Sequence, residues 1–246
     1  MNSRTHLLGL AVLGLAVAPA HAAELAFDDF STYSTGNISG QAGAPTGFAG
    51  SWTSPGGADA AVDDSTELFT QNVGPFRSHR NFSSTPLASS GTIYIRTNLQ
   101  LGTAGFVALE LATTANSDVS AVRLIGGANL SLGTTTTGSG SGTLLSNDAA
   151  NHEWLIELDL DTGAGQVWID PNTAAFNPAV GGAAFTAPDD FELNAINVAT
   201  FSAGTPGVVV DDFQVGEDWS DVGVTLGDPA PTLSLTNPAD DSVNVP

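Results

Sequence analysis

Cysteine and lysine are both absent from this sequence of 246 residues. Without cysteine there is no disulfide framework, no thiolate zinc site, no cysteine nucleophile and no lipidated N-terminal cysteine. Without lysine there is no Schiff-base residue and no phosphate-loop lysine. The five basic residues are all arginine (Arg4, Arg77, Arg80, Arg96 and Arg123), set against 26 acidic residues for a net charge of −21. So acidic a chain has no basic face for nucleic-acid phosphates, which excludes that class of partner. An anionic membrane surface is disfavoured for the same reason. Histidine is scarce as well, with only His6, His21, His79 and His152. No apolar run approaches the ~20 residues that a membrane-spanning helix needs.

The longest apolar run is Leu7 to Ala18, and it has a different meaning. Arg4 precedes it and Ala20-His21-Ala22 follows it. A positive start, a short apolar stretch and small residues at a cleavage site predict a secretory signal peptide over residues 1–22. Cleavage makes Ala23 the new N-terminus and leaves four arginines against all 26 acids, a net charge of −22. Two histidines leave with the leader, so a multi-histidine metal site is improbable. The expected product is secreted or at the cell surface, with no membrane insertion after cleavage.

What is abundant is glycine, with 28 residues, together with serine and threonine. No stretch carries the 3.6-residue periodicity and caps of a helix. Short alternating runs recur instead. They fall at Leu25 to Phe30, Thr92 to Leu101, Phe106 to Leu111, Val119 to Ile125, Asn129 to Leu132, Phe191 to Phe201 and Gly207 to Val215. His152 to Asp161 and Gly165 to Asp170 flank Thr162-Gly163-Ala164 and predict a hairpin. Thr134 to Gly142 is a low-complexity loop. Many short strands between glycine-rich turns predict an all-β fold, a sandwich or barrel, here over residues 23–226. Residues 227–232 contain two prolines and predict a linker. Residues 233–246 open a strand and a turn and are too few to bury a core of their own.

Three segments carry a family resemblance. FDDFSTYSTGNISGQAGAPTGFAGSW (27–52), NHEWLIELDLDTGAGQVWIDP (151–171) and VVVDDFQVGEDWSDV (208–222) resemble the opening, the late hairpin and the closing strand of concanavalin A-like jelly-roll domains of secreted bacterial proteins. The tail PADDSVNVP resembles the first strand of bacterial Ig-like domains. The resemblance implies a two-sheet antiparallel jelly-roll sandwich of the lectin/glucanase type, followed by the start of an Ig-like domain. It also implies a module that binds glycans or cell-surface polysaccharide, or serves adhesion. In such modules the first and last strands commonly lie side by side and hold a structural Ca²⁺. The matching pairs Asp28-Asp29 and Asp211-Asp212 are the candidate ligands, since carboxylate oxygens suit that ion.

Two further candidates come from alternation along the strands. Val167 and Ile169 should face the core, which turns Trp168 outward; by the same reasoning Tyr94 and Arg96 face outward. If both strands belong to the concave sheet, these three line a cleft in which a flat ring can stack on the apolar face of a sugar. Alternatively, Trp168 packs under a loop, with Trp52, Trp154 and Trp219 in the core or plugging an edge. Second, Glu157, Asp159 and Asp161 should share one strand face. Jelly-roll glycoside hydrolases carry Glu-x-Asp-x-Glu there, and Asp161 stands where that pattern has Glu. The shorter side chain falls short of the acid/base position. His152 is expected at the surface. The expected function is therefore a non-catalytic glycan-binding or adhesive module. The alternatives are a hydrolase using Glu157, Asp159 and Asp161, or a structural spacer.

Overall fold

The structure is a computed structural model that describes residues 24–54, 60–62, 68–70, 76–103, 106–115, 120–134, 142–200 and 207–227. The signal peptide, the Ig-like tail, most of the linker and most of the low-complexity loop expected from the sequence lie outside these residues. The strands are β1 (Glu24–Asp28), β2 (Gly36–Asn37), β3 (Phe48–Thr53), β4 (Ala60–Val62), β5 (Leu68–Thr70), β6 (Phe76–Phe82), β7 (Thr92–Leu101) and β8 (Val107–Ala112), then β9 (Ala121–Gly126), β10 (Asn129–Gly133), β11 (Gly142–Ser146), β12 (Asn151–Asp159), β13 (Ala164–Ile169), β14 (Ala183–Thr186), β15 (Ala195–Thr200) and β16 (Val208–Gly216). Among the described residues the one helical element is a 3₁₀ turn, Trp219–Val222.

The strands form two antiparallel sheets. One runs β14-β13-β12-β7-β16-β5-β4-β2, with β1 also paired to β16; the other runs β11-β10-β9-β8-β15-β6-β3. The chain is an all-β jelly-roll sandwich. Alternation builds it. In β7, Ile93, Ile95, Leu99 and Leu101 are buried, while Tyr94, Arg96, Asn98 and Gln100 are only partly covered. Those four apolar residues join Trp154, Ile156, Leu158, Val167, Phe213 and Val215 from the same sheet, and Leu109, Leu124, Ile196 and Val198 from the facing one, in a single core. At about 25 cal/mol per Å² of apolar surface removed from water, such interdigitated aliphatic rows are the main driving force for closure.

The β12–β13 hairpin is set by its turn. Asp159 Oδ1 accepts from the amides of Asp161 (2.9 Å) and Thr162 (3.3 Å). Gly163 takes φ 70°, the left-handed region that suits glycine, and its amide donates to Asp159 O. β12 in turn pairs with β7 over Asn151 to Asp159.

Charge is also packed inside. On the seven-stranded sheet His79, Asn197, Glu110 and Arg123 lie in one cross-strand row. The fully buried Glu110 accepts from Arg77 (2.9 Å), Arg123 (3.1 Å) and Asn197 (3.0 Å). Three donors around one carboxylate offset its loss of water.

Candidate functional site

The outer face of the nine-stranded sheet is where the sequence candidates gather. Registered pairing places Gln166, Glu157 and Tyr94 in one row, and Trp168, Leu155, Arg96 and Gln214 in the next. The structure thus brings Trp168, Tyr94 and Arg96 to one face, as alternation requires. Their exposure is a correction. Trp168 is 3% exposed. It packs edge-on against Phe176 (5.1 Å between centroids) and Trp219 (5.7 Å), and its Nε1 donates to Val180 O at 3.0 Å. Tyr94 lies 4.5 Å from the Trp219 ring. Arg96 is tied to Glu153 at 2.6 Å and donates to Val222 O. With Leu155, Phe176, Val222 and Val224 these rings make a second, smaller core outside the sandwich. Its cover is the turn Trp219–Val222, whose capping box uses Asp218 and Asp221 and which ends at Gly223 (φ 71°).

The row beside it is capped at Tyr94 and open at Glu157 and Gln166. A groove of about 740 Å³ is lined by Thr92, Glu157, Asp159, Gln166, Pro178 and Phe185, among others. Residues of β12, β13 and the edge strand β14 line it together with Pro178 and Ala179; Phe185 pairs with Gly165, and its ring packs on the opposite face against the main core. The Glu157 carboxylate makes no hydrogen bond or ion pair with another described residue, and burial raises its pKa. Asp159 is held below the usual carboxylate range by the Thr162 side chain and then the Asp161 amide. An open groove carrying amide, hydroxyl and carboxylate groups suits a polyhydroxylated ligand held by hydrogen bonds. Gln166 was not singled out from the sequence. Alternation through Gly165 to Asp170 puts Gln166 on the face of Trp168 and was the available signal.

The three-carboxylate strand face is a second correction. β12 ends at Asp159, so Asp161 lies in the turn, where its Oδ2 accepts from the Gly91 amide at 3.2 Å. It borders a separate hollow of about 180 Å³ against Ala187 to Phe191. Only Glu157 and Asp159 face the open groove.

His152 is a third correction: it is buried, not superficial. Its Nδ1 meets Asp170 at 2.7 Å and its Nε2 meets Asp148 at 3.0 Å. Burial is the largest single influence on this imidazole and opposes its proton, but the two carboxylates together outweigh it and its pKa is raised.

The first and last strands do lie side by side, with Asp28 opposite Phe213. The four aspartates nevertheless do not fit a calcium ion. Asp28 turns into the interior, where its carboxylate accepts from Tyr33 (2.6 Å) and the Phe30 amide (3.0 Å) and lies 3.8 Å from Arg80. Burial pushes its pKa up to about 6. Asp29 is occupied by the amide and hydroxyl of Ser31. Asp212 sits at a bulge with φ 54°. Asp211 is raised by burial and by its neighbours Asp212 and Asp29. Among the described residues no group of three or more His, Cys, Asp or Glu is placed to hold a metal.

No protein-family profile matches the chain, and no curated protein sequence matches it. Solved structures are similar in shape. An endo-1,3-beta-glucanase from Streptomyces sioyaensis is 16% identical, with 81% of this chain and 97% of that chain covered and a TM-score of 0.46. Lectin II from Ulex europaeus is 10% identical, covering 67% and 92%, with a TM-score of 0.42. The exoplasmic/lumenal domain of VIP36, in a form bound to Ca²⁺ and Man3GlcNAc, is 9% identical, covering 67% and 82%, with a TM-score of 0.46. No residue role or ligand is carried from them to this chain.

Proposed function

We propose that this protein is an exported, non-catalytic module that binds a glycan in the open groove of the nine-stranded sheet. The observation that carries the reading is the groove itself: about 740 Å³, with Gln166, Thr92 and Glu157 within reach of the same ligand. Export rests on the Leu7 to Ala18 run and the Ala20-His21-Ala22 site. Among the described residues no helix is long and apolar enough to cross a membrane. Hydrolysis by Glu157, Asp159 and Asp161 is the weaker reading, because two of the three carboxylates are engaged by the turn and by Gly91. A panel of purified oligosaccharides, assayed for both binding and cleavage, tests this. Binding without turnover, lost in Gln166→Ala, is the expected result. Cleavage abolished by Glu157→Gln would establish the hydrolase instead, and no binding to any glycan would leave a structural spacer.

A further inference from the structure

The groove has a charge selectivity that follows from where the arginines are. Arg80 is buried and donates to Ala42 O, Gly50 O and Tyr33. Arg77 and Arg123 serve Glu110 on the other sheet. Arg96 is engaged by Glu153 and by the Val222 carbonyl under the aromatic cap. The sequence has no lysine, so the only other basic residue is Arg4, within the expected leader. Among the described residues no cationic side chain lines the groove, whereas two carboxylates do. These lie two residues apart on one strand, their Cα atoms about 7 Å apart. The Asp159 carboxyl ionises readily because its turn donors favour the charged form. Glu157 is partly covered and has no described partner to neutralise it.

Three classes of sugar meet this lining differently. A uronate or sulfated sugar brings a second anion to two carboxylates with no counter-charge, in a field already set by a net charge of −21. A neutral sugar makes ordinary hydrogen bonds. A sugar with a free amine presents an ammonium, which forms shorter and stronger charge-assisted bonds to a carboxylate. We propose that the groove selects an amino sugar with a free ammonium group, such as a de-N-acetylated hexosamine within a polysaccharide, and that Glu157 and Asp159 are its ion-pair partners. This rests on the reading of the groove as a glycan site.

The experiment titrates the protein with a chitosan oligosaccharide, its fully N-acetylated counterpart and an oligogalacturonate. The expected result is at least tenfold tighter binding of the free-amine oligosaccharide than of the acetylated one. That preference should shrink as salt is raised, and the oligogalacturonate should not bind. Glu157→Gln and Asp159→Asn should each remove most of the preference, weakening the free-amine oligosaccharide far more than the acetylated one. Glu24→Gln, an exposed charge on β1 away from the groove, is the control for the general field. Equal binding of amine and acetamide, or tighter binding of the uronate, overturns the selectivity and leaves the glycan reading standing. A preference lowered equally by Glu24→Gln and Glu157→Gln also overturns it, because the polycation would then be held by the whole surface. Failure of the free-amine sugar to bind overturns the selectivity, and failure of the whole oligosaccharide panel overturns both.

Discussion

Two halves of one sheet face, built by the same strands, end in opposite states. The row Trp168–Leu155–Arg96 lies under the Trp219 cap with Phe176, Val222 and Val224, while the row beside it, capped at Tyr94, opens into the groove at Glu157 and Gln166. β12 and β13 run through both halves, so strand propensity does not decide between them. The returning chain decides. Gly216 lets the cap approach so closely that a Cβ there would stand 2.4 Å from Asp221 Cβ, and a Cβ on Gly182 would stand 2.6 Å from the Trp168 ring. An outward ring on a strand is therefore not evidence of a binding surface until what lies over it is known.

The comparison can be broken most severely at Trp219. Trp219→Ala removes the ring that touches Tyr94, Trp168 and Phe176, and the loss should be about 3–5 kcal/mol of stability. Urea unfolding measures it. A loss below about 1 kcal/mol would mean that the cap is ornamental and that the two halves are alike.

The inner face of the same sheet tests the same rule on a charge. Folded Asp28 keeps its proton up to about pH 6, whereas in the unfolded chain it titrates near 3.8. The folded state therefore holds a proton that the unfolded state lacks between those values. The resulting stabilisation, about 3 kcal/mol, is complete below the unfolded pKa and is lost as pH rises through about 6. Denaturant midpoints from pH 4 to pH 8 should carry this fall, and Asp28→Asn should flatten it. An unchanged slope in the variant would place the titration elsewhere.

Smaller effects sharpen the contrast. Gly182→Ala pushes against Trp168 and should destabilise by about 1–3 kcal/mol, with a shift in tryptophan emission. Arg96→Ala cuts the link from Glu153 to the Val222 carbonyl and should lose about 1 kcal/mol. In the open half, Gln166→Ala should stay within about 0.5 kcal/mol of the parent, because that side chain is exposed. A cost near that of Gly182→Ala would show that the groove is part of the structure rather than a site.

Much of the sandwich was legible in the sequence. The β7 strand and the β12–β13 hairpin carry strict two-residue alternation, and their faces follow from it. The region from Gly36 to Phe82 was not legible. There β3 interrupts its pattern with Gly50 and Ser51, and β6 buries Ser78 and Arg80 where alternation would place apolar residues. The aromatic cap entered only as the alternative, Trp168 under a loop and Trp219 as a plug, for a different reason. Trp219 reaches Trp168 across about 50 residues of chain, and periodicity along one strand carries no information about what crosses over it. Asp28 fails similarly: its partners Tyr33 and Arg80 come from a turn and a distant strand, so the Asp-Asp motif read as a metal ligand is an interior hydrogen-bond acceptor.

The central claim is that the uncovered row, and not the ring-bearing row beside it, holds the ligand. Its most direct measurement is calorimetric titration of one bound oligosaccharide against the parent, Gln166→Ala and Arg96→Ala. The account predicts at least a tenfold loss of affinity in Gln166→Ala at unchanged melting temperature, and parental affinity in Arg96→Ala despite its lower stability. Parental affinity in Gln166→Ala together with lost binding in Arg96→Ala would contradict it and return the site to the covered half.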